Sequence, residues 1–216
     1  MERISQAIED IGSLCIADIF SPGKLWYAPV KMDWKTAPEF DPFGPMDRWG
    51  GYDEYGWFRC IFTIPAEADG KELWVEISQD KREWYAQNPQ FLLYCNEKPM
   101  QGLDLYHESC LLRKKAVSGE TLQLDFDAWA GMVTRGRTWS DKENRPGLFA
   151  IRFFTLEEDI QSFYYDIKTV YETAKYTDKE SEKGLRLRKI LNETIGQLDF
   201  REKTGSGRHF QKQKKY

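Results

Sequence analysis

Carboxylates dominate the reactive inventory of this sequence. Asp53 and Glu54, Asp80 and Glu83, Asp104 and Glu108, and Asp125 and Asp127 form four neighbouring sets. Two carboxylates facing each other across a cleft are what glycoside hydrolysis needs. However, Asp125 and Asp127 share one face of an alternating strand pattern, where acids ordinarily meet solvent. With so many acids in the chain, no single pair stands out as catalytic.

Histidine is scarce, with His107 and His209 the only two. His209 sits among basic residues and reads as solvated. His107 lies in Asp104-Leu105-Tyr106-His107-Glu108. Asp104, His107 and Glu108 would make a metal site only if that loop curled onto one ion, and no repeated ligand spacing supports one. A hydrogen-bonded structural histidine is the better reading, and no metal or other cofactor is expected in this chain. Nucleophile chemistry finds no footing either. No serine stands in a Gly-x-Ser-x-Gly elbow, and no cysteine has an evident base. Gly205-Ser206-Gly207 follows Lys203-Thr204 instead of preceding such a pair, so it is no phosphate-cradling loop. No residue is assigned a catalytic role.

The aromatic residues leave two readings open. The chain has eight Trp. Trp129 and Trp139 flank a stretch carrying Arg135 and Arg137, and Trp84-Tyr85 precedes an apolar run. Sugars stack on Trp and Tyr while charged groups bind their hydroxyls. Trp84, Tyr85, Trp129, Arg137 and Trp139, with His107, are therefore the candidate contacts to a glycan or to another domain. Packing of the same rings at the ends of a sheet sandwich is the preferred alternative.

The elements that would hold these residues are mostly strands. Phe58, Cys60, Phe62 and Ile64 alternate with Trp57, Arg59 and Thr63. Leu73, Val75 and Ile77 alternate with polar residues, and so do Leu122, Leu124 and Phe126. Phe91–Cys95 and Leu148–Thr155 are further strand-like runs. Short strands with no long helix between them predict an antiparallel β-sandwich of jelly-roll or galactose-binding-like type. The Pro- and Trp-rich stretch from Gly23 to Gly51 reads as extended chain with aromatic anchors, long enough that a short strand must hide in it.

Helical spacing brackets the strands. Ile4, Ile8, Ile11 and Cys15 predict an amphipathic helix to about Phe20. Ile160, Phe163, Tyr164, Ile167, Val170, Tyr171 and Ala174 predict a second. Thr177-Asp178-Lys179-Glu180 has the form of a capping box opening a third, with Leu187, Ile190, Leu191, either Thr194 or Ile195, and Leu198 as its stripe. The expected organisation is an N-terminal helix over 1–22, a sandwich over 23–157, a helical hairpin over 158–200, and a flexible basic tail over 201–216. Each hairpin helix needs a partner for its apolar face.

Bulk properties narrow the setting. A net charge of −4 argues against nucleic acid, whose binders need a basic surface to displace counterions. Arg201, Lys203, Arg208, Lys212, Lys214 and Lys215 form a local exception that reads as a solvated end. The N-terminus has no continuous apolar core, so it is not read as a secretory signal, and no segment is long enough to cross a bilayer. Cys15, Cys60, Cys95 and Cys110 show no CxxC pair and suit buried, reduced thiols, which predicts a cytosolic protein.

Against this background, one set of motifs resembles a known family. Tyr55-Gly56-Trp57-Phe58-Arg59, then Phe62-Thr63-Ile64-Pro65 and Gly70-Lys71, is similar to the first strand and turn of the accessory domain in family 38 α-mannosidases. Tyr94-Cys95-Asn96-Glu97-Lys98-Pro99-Met100-Gln101-Gly102 resembles that domain's strand, Asn-Gly turn and Gln-Gly, and Asp104 through His107 continues the likeness. Glu97 stands where glycine is usual, which leaves the turn geometry open. Phe163-Tyr164-Tyr165-Asp166, Leu191-Asn192 and Leu198-Asp199 are similar to the connector that leads into the catalytic barrel. The resemblance covers most of the span from Trp26 to Asp199.

It implies a non-catalytic N-terminal accessory domain of a zinc-dependent retaining glycosidase that removes α-linked mannose. The zinc and the aspartate nucleophile belong to a catalytic domain opening with a His-x-Asp motif, which this sequence lacks. The implied partner is that catalytic domain; a glycan and a second copy of the chain stay open. The alternative is an independent carbohydrate-binding module.

Overall fold

The computed structural model describes residues 2–29, 39–79, 89–131 and 147–198. The chain forms two compact units. Asp18 to Thr155 makes one, and residues up to Ala17 join those from Leu156 onward to make the other.

The larger unit is an antiparallel β-sandwich. One sheet is built from β1 (Ile16–Phe20), β10 (Phe149–Leu156), β5 (Leu73–Gln79) and β8 (Ser109–Arg113), in that spatial order. The other holds β3 (Asp41–Pro42), β2 (Leu25–Ala28), β4 (Tyr55–Thr63), β9 (Thr121–Trp129), β6 (Gln90–Cys95) and β7 (Lys98–Leu103). The alternation in the sequence sets which residues face inward. Phe58, Cys60 and Phe62 of β4, Leu122, Leu124 and Phe126 of β9, and Val75 and Ile77 of β5 are all buried in one core. Aromatic rings join the sheets across that core. Phe62 stacks on Phe153 at 3.7 Å between centroids, and Phe58 stacks on Phe149 at 4.1 Å.

The Pro-rich stretch supplies two short strands, β2 and β3, where one was expected. Tyr27 packs into the core, and its ring lies against the backbone of Gly56, where any Cβ would overlap it. Trp49 is buried and meets Phe58 edge to face at 5.2 Å. Its backbone exchanges hydrogen bonds with Gly147. These aromatics anchor the stretch as the sequence reading proposed. The Asn96-Glu97 turn between β6 and β7 has φ of +49° and +67°. Two left-handed residues are what a tight hairpin demands, so Glu97 takes up the geometry glycine would otherwise supply.

The smaller unit is helical. It contains α1 (Glu2–Ser13), α2 (Glu158–Tyr176) and α3 (Glu182–Gly196). Ile4, Ala7, Ile8 and Ile11 of α1 pack with Ile167 and Ala174 of α2 and with Leu191 and Ile195 of α3. The partner that a two-helix hairpin lacks is thus the N-terminal helix. Three local expectations need correction. The first helix stops at Ser13, not near Phe20. Leu14 and Cys15 donate to carbonyls three residues back, which tightens the last turn, and Ile16–Phe20 joins the sheet beside β10. Thr177 does not open α3, because its hydroxyl donates back to the Thr173 carbonyl at 2.7 Å. Ser181 is the N-cap instead, accepting from the Gly184 N–H at 3.1 Å. Ile190 is 43% exposed and stands outside the apolar stripe.

Candidate functional site

The outward face of the six-stranded sheet carries aromatic and charged residues in register. Antiparallel pairing sets three rows across β4, β9 and β6: Tyr55–Trp129–Gln90, Trp57–Asp127–Leu92, and Arg59–Asp125–Tyr94. Residues in one row are close neighbours on the same face.

The Arg59 row holds a partly buried ion pair. Arg59 Nε donates to Asp125 Oδ1 at 2.6 Å, and Gln123 Nε2 donates to Oδ2 at 2.8 Å. The guanidinium lies over the Phe40 ring at 4.6 Å. Asp125 is only 4% exposed. This corrects the expectation of a solvent-facing acid: the strand face is right, but the arginine opposite and the neighbouring glutamine take both carboxylate oxygens. On the inner side of β4, burial and then the Asp125 charge push the Cys60 thiol up to about 12. All four cysteines are buried and unbridged. In the adjacent rows, the Trp57 and Tyr94 rings lie 5.8 Å apart.

The Trp129 row forms the end of the sheet. Trp129 Nε1 donates to Asp53 Oδ1 at 2.9 Å, which fixes the indole. Tyr55 stands beside it, with ring centroids 6.4 Å apart and planes tilted by 30°. The 50–54 turn is clamped to the end of β9. Asp53 N–H donates to the Gly131 carbonyl at 2.9 Å, and Ala130 N–H donates to the Glu54 carbonyl at 2.8 Å. Gly50, at φ +69°, lies so close to Ala130 that no Cβ fits there. Asp53 is exposed and holds φ +58°, a conformation unusual for a residue with a side chain.

His107 belongs to a separate turn at the same end of the sandwich, since β7 reaches Leu103 opposite Phe91, next to Gln90. Asp104 Oδ1 accepts from the Tyr106 N–H at 2.7 Å, from the His107 N–H at 2.8 Å, and meets His107 Nδ1 at 3.1 Å. Those donors, the Tyr106 N–H foremost, hold the Asp104 carboxyl below its ordinary range. The His107 side chain is 72% exposed. Among the described residues, no group of three or more His, Cys, Asp or Glu is placed to hold a metal ion.

Of the candidates named from sequence, Trp129 and His107 thus lie at one end of the sandwich, the first on the last residue of β9 and the second in the turn after β7. Trp84, Tyr85, Arg137 and Trp139 lie outside the described residues. Asp53 and Asp125 were named only among many acids, and Tyr55 and Arg59 only as strand residues; their pairings with Trp129 and with each other escaped the sequence reading. Strand alternation gave their face, but only the register shows which residues stand opposite each other. Together the groups offer stacking surfaces and hydroxyl-binding polar groups. Among the described residues, no helix is long and apolar enough to cross a membrane.

No family model matches the chain, and no curated protein matches it. Similar solved structures include a β-glucuronidase from Faecalibacterium prausnitzii (12% identity, TM-score 0.40) and one from Ruminococcus gnavus bound to D-glucaro-δ-lactam (13% identity, TM-score 0.43). Each match covers 65% of this chain, and 32% and 30% of those chains respectively. A putative β-galactosidase from Bacteroides fragilis matches at 11% identity and TM-score 0.41, over 63% of this chain and 23% of its own. The matched region therefore spans under a third of each of these enzymes, and similarity at this level says nothing about what this chain binds or does.

Proposed function

We propose that this chain is a non-catalytic accessory sandwich of a glycoside hydrolase, of the kind found at the N-terminus of family 38 α-mannosidases. It supports a catalytic domain in the breakdown of α-mannose-containing glycans. The observation that carries the reading is where the motif set falls. Tyr55–Arg59 is the central strand β4, and Tyr94–Gly102 is the β6–β7 hairpin with the left-handed turn that the usual Asn-Gly would make. The Phe163 and Leu191 motifs lie on α2 and α3. The motifs thus occupy one sandwich and its following helices in the expected order. Zinc and the nucleophile would come with the catalytic domain. Four buried, unbridged thiols support a cytosolic setting.

The test is to read the DNA beyond the Tyr216 codon, express the extended polypeptide, and assay hydrolysis of an aryl α-mannoside. A His-x-Asp motif within a few dozen codons and turnover by the longer chain are expected, with none from the 216 residues alone. A reading frame that closes at Tyr216, with a monomeric product showing no exposed apolar face, overturns the accessory reading. The alternative, an independent carbohydrate-binding module, draws its support from the Trp129 row.

A further inference from the structure

We propose that Trp129 and Asp53 form a subsite for one pyranose ring of a neutral glycan. The proposal rests on the carbohydrate side of the reading above, but it needs no catalytic domain.

Three features build the subsite. First, the indole is fixed: its N–H is held by Asp53 Oδ1, and its neighbour across the pair is the Tyr55 ring. A ring fixed in this way loses little freedom when a sugar's C–H face settles on it. Second, the carboxylate is aimed. An ionised Asp has about four acceptor sites on two oxygens, and the indole uses one. Asp53 is exposed, so the remaining sites can accept from vicinal hydroxyls. Third, Gln90 stands in register on the other side of Trp129 from Tyr55 and is exposed, so a residue whose amide both donates and accepts neighbours the indole.

The backbone supports this placement. Aspartate is one of the few residues with a side chain that enters the left-handed region readily, so it can hold this turn while its carboxylate reaches the indole. Here Gly131 and Ala130 hold the turn through two backbone hydrogen bonds, and Gly50 lets the strands approach. A turn needed only to reverse the chain would not need an aspartate carboxylate on the tryptophan. The same aspartate, with exposed Glu54 beside it, sets the ligand's charge. Two carboxylates repel an anionic uronic acid, so a neutral hexose is the fitting occupant.

The experiment uses the 216-residue chain, isotopically labelled, titrated with methyl glycosides of mannose, galactose and glucose and with glucuronic acid. A saturable shift is expected at the indole resonance that is missing from Trp129→Ala, with millimolar affinity for at least one neutral sugar and weaker or no binding of glucuronic acid. Asp53→Asn keeps the indole acceptor and tolerates the left-handed turn, and should weaken binding about tenfold. Either of two results overturns the proposal: no saturable response with any neutral sugar, or unchanged affinity in Asp53→Asn. Neither result touches the accessory role, which is decided separately by hydrolysis in the extended polypeptide.

Discussion

The Arg59–Asp125 pair offers a quantitative test of how the outer sheet face is held. Its two charges are unequally buried, with side chains 28% and 5% exposed. Breaking a buried pair by removing one partner costs about 3–5 kcal/mol, because the other charge is left without compensation. Arg59 is more than a quarter exposed and can regain water, so Asp125→Leu falls below that range, at about 2–3 kcal/mol. Arg59→Met strands the more deeply buried carboxylate with only the Gln123 amide for company, and should cost about 4 kcal/mol. The double variant removes both charges while keeping apolar volume, and should lie within about 1–2 kcal/mol of the parent. Urea titrations followed by tryptophan fluorescence on all four proteins give the coupling. The expected outcome is strong non-additivity, with Arg59→Met the weakest of the set. A double variant whose loss equals the sum of the singles, or Asp125→Leu less stable than Arg59→Met, would refute the reasoning.

Other expectations follow from local geometry. Asp18 accepts from Lys71 at 2.7 Å and from Thr155 at 3.0 Å, and the Lys71 hydrogen bond chiefly lowers its pKa against the opposing effect of burial. Its stabilising contribution is present above the ordinary carboxylate range and fades as pH falls through the lowered value, so Asp18→Asn should flatten the acid limb of the stability profile, read by thermal melts between neutral pH and pH ~3. Cys60, pushed to about 12, stays a thiol at neutral pH, so alkylation should follow unfolding and slow with added stability. Ser181→Ala removes the α3 cap and should cost about 1 kcal/mol by circular dichroism melts, whereas Asp178→Ala, whose carboxylate accepts from the Glu180 N–H in the loop, should cost less.

The sandwich was legible because its central strands alternate strictly, and burial on one face enforces that pattern. β1, β7 and β8 were not read as strands. Lys98–Leu103 is exposed over five of its six residues, and as an edge strand it carries no inward stripe to announce it. Ile16–Phe20 shares its apolar content with the helix before it, and the choice between them is made by pairing with β10, a partner far away in sequence. The apolar faces of α2 and α3 were evident from spacing, but the identity of their third partner was not. At the candidate site, Trp129 could be named from residue type alone. Tyr55 became informative only when the register set it beside Trp129, Arg59 when the register set it opposite Asp125, and Asp53 when the turn brought its carboxylate to the indole.

The helical unit is assembled from both ends of the described chain, with the sandwich inserted between α1 and α2. On the ribosome, α1 is made before α2 and α3 and must leave its isoleucine face uncovered until they appear. At 5–20 residues per second, roughly 140 intervening residues take about 7–30 s to synthesise. During that interval the sandwich can fold as a unit of its own while the helix waits. Nascent-chain stalling just before and just after α3 should therefore show protease protection of the sandwich preceding protection of α1, and α1 is where a chaperone would find its grip.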